Sequence, residues 1–254
     1  MGLYVVTGSA SGIGLALTSA LKDEGHTVIG VDLSEATITA DLSTHQGVTT
    51  CFTEIKTLAK EGLDGFIPCA GVGGFMGLNH LVIDVNYLAS TVLTQLCLPL
   101  LEKKNGRIVM IGSNSMAMPG LDEAFIHMLL AEDFEQAHEL ASKSGFEAYP
   151  SSKAALCRWM KRKAVLWIQQ GVRMNAIAPG MTNTAMTNAQ RALSPELDAA
   201  LDHFADSSPM GFAATPKMIV EVILFLLSEQ SSFMCGAVVY ADGGHAAVFN
   251  PDSV

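Results

Sequence analysis

Short, continuously apolar runs alternate along the chain with longer stretches whose apolar residues recur at helical spacing. LYVVT (3–7), TVIGVD (27–32), LDGFIPCAG (63–71), GRIVMIGS (106–113), GVRMNAIAPG (171–180) and AVVYADGG (237–244) read as strands, several of them ending in a turn. Residues 12–24, 46–60, 80–103, 149–170 and 216–228 read as helices. Strands that are apolar throughout, rather than at alternate positions, are buried on both faces. Their alternation with helices predicts a parallel sheet covered on both sides. No repeat, low-complexity tract or linker interrupts the pattern, so residues 1–254 are expected to form a single α/β domain.

Two segments break the rhythm. Residues 114–148 separate a strand from the helix at 149, and within them LLAEDFEQAHELASKSG (129–145) is amphipathic and predicted helical. Residues 181–215 are polar and helix-prone, punctuated by Pro195 and Pro209 and followed by Pro216. Ligands of open α/β sheets sit at the carboxyl ends of the strands, where both segments depart. Both are therefore expected to shape a substrate pocket.

Composition narrows the function classes. The chain has 254 residues, 16% of them charged and 49% apolar, enough for a sizeable core. A formal net charge of −10 argues against nucleic acid and anionic membranes as partners, and KRK (161–163) is too short to reverse that. MIVEVILFLL (218–227) is about half the length needed to span a bilayer and contains Glu221, and the N-terminus lacks a signal-peptide pattern. Cysteines 51, 69, 97, 157 and 235 are odd in number and without C-x-x-C spacing, as expected of reduced thiols in a cytoplasmic protein. The histidines are scattered, so no metal site is expected.

TGSASGIG (7–14) places Gly8, Gly12 and Gly14 between the first strand and the first helix. Glycines there let backbone approach a pyrophosphate, whose charge the helix N-terminus favours. Asp32 ends the second strand eighteen residues beyond Gly14, the expected place for a carboxylate on an adenosine ribose. It would repel a 2′-phosphate, and LSEAT (33–37) offers no Lys or Arg to attract one, so NAD is preferred over NADP. Asp41 suits the adenine edge, a helix N-cap or a turn about equally. EAYPSSK (147–153) sets Tyr149 and Lys153 four residues apart on one helical face, with Pro150 in the first turn, where its missing N–H is no loss.

Taken together these residues resemble the short-chain dehydrogenases/reductases. The likeness rests on T-G-x-x-x-G-I-G (7–14), Asp32, CAG (69–71), Asn86 in DVNYL, Ser113, Y-x-x-x-K (149–153), NAIAPG (175–180) and DGG (242–244), in order over nearly the whole chain. Pro68-Cys69 stands where the family has Asn-Asn, and Ser113 lies thirty-six residues before Tyr149, far more than is usual. That insertion, about 116–145, together with GHTVIGVDL, ADLST and VNYLAST, is similar to the branch of bacterial 3α-hydroxysteroid dehydrogenase/carbonyl reductases; a branch acting on coniferyl-type aromatic alcohols fits too. The resemblance implies a Rossmann-like, doubly wound sheet of about seven strands and a nicotinamide-dependent oxidoreductase.

It also implies the roles. Tyr149 exchanges the proton of an alcohol or ketone oxygen, with its pKa lowered by Lys153 and the oxidised nicotinamide. Lys153 also bonds the nicotinamide ribose. Ser113, with Ser115 as the alternative, orients the substrate oxygen. Asn86 places a water in a relay to solvent. Asn114 is read as a turn residue. The cofactor set comprises Gly8, Ser11, Gly12, Ile13 and Gly14; Asp32, Leu33, Asp41 and Leu42; Ala70 and Gly71; Tyr149 and Lys153; and Ile177, Pro179, Gly180, Thr182 and Thr184. Ile177 is expected against the nicotinamide ring, with Thr184 or Thr182 on its carboxamide. Met116, Met118, Met181 and Met186 flank the site, which favours a bulky hydrophobic ketone or secondary alcohol, such as a hydroxysteroid, over a sugar. The alternatives are a coniferyl-type substrate or a non-catalytic NAD-sensing protein. A homodimer is expected, with a tetramer as the alternative.

Overall fold

The computed structural model describes residues 1–74 and 79–252. Seven strands form one parallel sheet: β1 (Leu3–Thr7), β2 (Thr27–Asp32), β3 (Ile38–Thr39), β4 (Gly65–Pro68), β5 (Arg107–Ile111), β6 (Arg173–Pro179) and β7 (Val238–Ala241). Their order is β3-β2-β1-β4-β5-β6-β7. The chain therefore starts in the middle of the sheet, builds one half, then crosses back to build the other from β4 onward. The doubly wound fold expected from the sequence is present as a single domain.

Two apolar clusters flank the sheet because successive strand residues face opposite sides. Val5, Phe66, Ile108 and Met174 join one cluster with α2 (His45–Leu58), α4 (Ser90–Glu102) and α7 (Ala148–Trp167). Val6, Ile67, Val109 and Ile177 join the other with α1 (Gly12–Asp23) and α10 (Pro216–Leu227). The remaining helices are α3 (Asn79–Leu81), α5 (Glu123–Leu130), α6 (Phe134–Lys143), α8 (Ala185–Arg191), α9 (Pro195–Asp206) and the C-terminal α11 (His245–Phe249).

Three elements differ from the sequence reading. The helix at 80–103 runs from Asn79 to Glu102 but is wound as a π-helix over Val82–Ala89. Ser90 Oγ compensates by donating to the carbonyl of Val85 at 3.3 Å. This helix is long and apolar enough to cross a bilayer, with a mean hydropathy of 1.5. More than half of its most apolar window is buried within the fold, as befits a core helix. The amphipathic stretch at 129–145 is two helices rather than one. The chain breaks at Glu132, where φ is +62°, and restarts at Asp133, whose carboxylate caps α6 by accepting from Gln136 N at 3.3 Å. The two-residue β3 escaped notice because a strand that short leaves no periodic signal.

Candidate active site

A cavity of about 780 Å³ opens at the carboxyl ends of β1, β2, β4, β5 and β6. Its floor begins at the glycine turn, whose three glycines answer to different constraints. Gly8 has φ +68°, and a Cβ there would lie 2.9 Å from the Ala70 backbone. Gly12 opens α1 with φ +52°. A Cβ on Gly14 would collide with the carbonyl oxygen of Gly8. Ser11, the residue before α1, makes no side-chain capping bond, so the amides of the first turn are left for an anion. Ser11 and Ile13 line the cavity alongside the glycines.

The Asp32 carboxylate accepts from Ala10 N at 2.9 Å and from Leu33 N at 2.7 Å, which fixes it at the mouth. Leu33, Asp41 and Leu42 line the same end. Asp41 is not a helix cap: it closes a turn by accepting from Ser43 N and Oγ at 3.0 and 2.7 Å. Thr44 caps α2 instead, accepting from Gly47 N at 2.9 Å. Thr7 Oγ1 accepts from Ala70 N at 3.0 Å, which ties the Ala70-Gly71 backbone to the end of β1.

The catalytic candidates converge where β5 meets α7. Ser113 accepts from both Ser115 N (3.2 Å) and Ser115 Oγ (2.9 Å), so its own proton is free to point at Tyr149, whose ionised form it favours. Ser115, the alternative, thus acts as the holder of Ser113. Tyr149 is the second residue of α7, and Pro150 occupies the first turn as expected. Lys153 is buried, donates to the Ile111 carbonyl at 3.0 Å and lies 6.0 Å from the Tyr149 ring centroid.

Burial dominates the proton affinities here. It raises the Tyr149 phenol above its ordinary value, opposed by the Ser113 hydrogen bond. It pushes the Lys153 ammonium down to about 8, against the opposing pull of the Cys69 and Cys157 thiols. In the protein without cofactor, burial outweighs the hydrogen bond from Ser113, so the phenol stays above its ordinary value. Burial also pushes the Cys69 thiol, at the cavity wall, up to about 12.

Two predicted residues lie elsewhere. Asn86 is fully buried in the π-helix and does not line the cavity. Its Oδ1 accepts from Val72 N at 2.8 Å and its Nδ2 donates to Val72 O at 3.0 Å. Its side-chain amide thus holds the chain beyond Gly71. Ile177 is fully buried among the core residues on the α10 face, below the cavity, so its side chain does not lie against a cofactor ring. Pro179, Gly180, Thr182 and Thr184 do line the cavity. Thr184 caps α8 by accepting from Thr187 N at 3.2 Å, and Thr182 Oγ1 donates to Gly180 O at 2.9 Å.

Beyond the catalytic residues the cavity continues into an apolar lobe. Met118, Met181 and Met186 line it, but Met116 packs into the core. The insertion contributes little wall. Helices α5 and α6 stay outside the lining, and only Met118 comes from residues 116–145, with Phe146 just beyond. The wall is α9, through Leu197, Ala200, Leu201 and Phe204. Two residues were missed. Gln190 is buried in this lobe. His245 lies 3.3 Å from Asn114 Nδ2 through Nδ1 and 3.1 Å from Ser207 Oγ through Nε2, and its ring stacks on Phe204 at 4.5 Å. Asn114 is therefore a cavity residue held by His245 rather than a mere turn residue. The signal for both was weak: one amide and one histidine, each fixed by partners far away in sequence.

The residues present fit a dinucleotide. The glycine turn leaves room that a Cβ would fill, and the Asp32 carboxylate stands eighteen residues beyond it at the mouth of the cavity. Residues 3–124 match the sequence model described as short chain dehydrogenase, and residues 135–246 match one described as enoyl-(acyl carrier protein) reductase. The two matches break within the insertion. The chain is 34% identical to a 3-alpha-hydroxysteroid dehydrogenase/carbonyl reductase of Comamonas testosteroni, covering 99% of each. It is 29% identical to a coniferyl-alcohol dehydrogenase of a Pseudomonas species, covering 96% of each. Its fold superimposes on the crystal structure of a 3-alpha-hydroxysteroid dehydrogenase from Pseudomonas sp. B-0831 complexed with NADH, with a TM-score of 0.93 and 36% identity, covering 99% of this chain and 100% of that one.

Proposed function

This chain belongs to the short-chain dehydrogenase/reductase family, and on that premise we propose that it uses NAD to interconvert a secondary alcohol and a ketone, the substrate being a hydroxysteroid or a similarly bulky hydrophobic carbonyl compound. The observation that carries the reading is the placement of Ser113, Tyr149 and Lys153 between a glycine-turn cofactor end and an apolar lobe. The bound nicotinamide supplies the hydride acceptor in one direction and the donor in the other.

Around it the protein handles the proton. Ser113, held by Ser115, donates toward the substrate oxygen and orients it. Tyr149 gives its phenolic proton to the oxygen as a ketone is reduced, or takes the alcohol proton in the reverse direction. Because burial keeps the phenol protonated, reduction is the easier direction at neutral pH, and oxidation is expected to accelerate as pH rises. The Gly8–Gly14 turn is assigned to the pyrophosphate. Ala70, Gly71, Pro179 and Gly180, with Thr182 and Thr184, are assigned to the nicotinamide end. Two features support NAD over its 2′-phosphorylated form: the Asp32 carboxylate at the mouth, and the absence of any Lys or Arg but Lys153 among the described lining residues.

The reading is tested with a panel of hydroxysteroids and aromatic alcohols, coniferyl alcohol among them, each offered with NAD and with NADP while the reduced cofactor is followed by absorbance. Turnover of hydroxysteroids with NAD supports it; faster turnover with NADP contradicts the role of Asp32. Binding of NADH without turnover of any alcohol or ketone would favour an NAD-sensing protein. Tyr149→Phe is expected to keep NADH binding and lose about two to four orders of magnitude in kcat.

A further inference from the structure

The lobe beyond Ser113 and Tyr149 is apolar, yet one amide projects into its wall. Gln190, near the end of α8, is 9% exposed and lines the cavity beside Gly73 and Met186. Among the described residues its amide has no hydrogen-bond partner, and it faces the cavity rather than being sealed in the core. The other polar side chains of this lobe are occupied. Asn114 is paired with His245, Ser115 donates to Ser113, and Thr187 donates to the Thr182 carbonyl at 2.7 Å. Among the described residues, Gln190 is thus the polar group of this lobe with both donor and acceptor unspent.

The wall is shaped to admit that amide. A Cβ at position 73 would collide with Gln190 Nε2, so only glycine lets the side chain lie where it does. A ligand that fills the lobe displaces water from this amide, so a ligand group that bonds to it is favoured over one that leaves it unpaired. An apolar pocket with one convergent polar group fixes its ligand's orientation through that group.

The geometry points to Gln190 as a specificity-determining residue that hydrogen-bonds a second oxygen of the substrate, away from the carbon being oxidised or reduced. The inference rests on the reading of this cavity as an alcohol/ketone site and narrows its substrate class. The substrate would be a rigid hydrophobic alcohol or ketone carrying a further carbonyl or hydroxyl group, rather than a monofunctional one. An amide can donate to a carbonyl and accept from a hydroxyl, so either distal oxygen suits. The distal group undergoes no reaction; it sets which end of the molecule faces Tyr149.

The test compares two saturated 3-hydroxysteroids that differ only in a distal ring ketone, present in one and replaced by methylene in the other. Both are titrated by calorimetry into the NADH-loaded protein and assayed for turnover with NAD. Wild type and Gln190→Met, which keeps the side-chain length, are measured side by side, with Gln190→Leu as a second variant should the first fold poorly. Wild type is expected to prefer the distal ketone by about tenfold, the scale of one neutral hydrogen bond. Gln190→Met is expected to bring that preference close to one. A wild type without preference, or a preference of equal size in wild type and variant, overturns the assignment. Absence of turnover would count against the alcohol/ketone reading alone, since the calorimetric ratio still decides on Gln190.

Discussion

Lys153 carries a charge into surroundings that disfavour it. It is buried, its ammonium has one recorded acceptor, the Ile111 carbonyl, and its pKa falls from 10.5 to about 8. A lysine whose folded pKa lies below its unfolded value destabilises the fold at neutral pH. The penalty is fully present below about 8 and disappears as pH rises toward the unfolded value of 10.5. Its size is on the order of 3 kcal/mol at most, offset in part by the Ile111 hydrogen bond. Lys153→Met is therefore expected to be catalytically crippled yet at least as stable as wild type at pH 7. Calorimetric melting of both cofactor-free proteins at pH 7 and near pH 10 checks this. The stability gap should narrow at the higher pH, and a gap that widens would contradict the assignment. The spacing of Tyr149 and Lys153 could be read along the chain, and Ser113 came from the family resemblance; the structure brings the three together at the cavity. The surroundings of Asn86 and Ile177 were not legible, since a motif gives a position along the chain but not what the side chain bonds. Asn86 meets Val72 and Ile177 faces the core, both through contacts that are not local in sequence.

Elements were legible where periodicity is strong. The strands other than β3, with α1, α7 and α10, appear within a few residues of their expected bounds because long apolar runs and helical spacing are unambiguous. The break between α5 and α6 was not legible, since it depends on one residue with positive φ and a capping aspartate inside an otherwise amphipathic run. The π-helix over Val82–Ala89 leaves no trace in the apolar pattern. Nor was it apparent that the insertion would pack on α7 while α9 became the wall. His245 shows how that wall is fixed: it bridges Asn114, next to Ser113, to Ser207 at the end of α9, and stacks on Phe204. His245→Phe keeps an aromatic ring but removes both hydrogen bonds. It is expected to raise the KM for the ketone by roughly tenfold, the scale of one or two neutral hydrogen bonds, while leaving NADH affinity close to that of wild type. Steady-state kinetics beside a fluorescence titration of NADH separates the two. An equal loss in both would mean that the histidine supports the whole fold rather than the substrate wall.

At the scale of the whole molecule, the placement of the insertion bears on assembly. α5 lies along α7, and Arg158 on α7 grips Glu123 with two bonds of 2.6 and 2.7 Å, so part of the outer face of α7 is already covered within the chain. The opposite margin of the sheet is bare. β7 is a terminal strand, and Tyr240 on it, Phe233 just before it, and Met218 and Phe225 on α10 are all exposed. An open strand edge bordered by large apolar side chains invites pairing. Two copies joined there would each bring a formal charge of −10, so screening salt should favour association. A homodimer through the β7–α10 margin is therefore expected, with light scattering after gel filtration giving twice the 26.9 kDa chain mass, more completely at high ionic strength. Phe225→Glu and Tyr240→Glu should each shift the population toward monomer by placing a charge against its symmetry mate or in an apolar contact. A wild-type monomer at micromolar concentration and moderate salt would refute the dimer. A dimer indifferent to both substitutions would place its interface elsewhere, on a surface that the insertion leaves open.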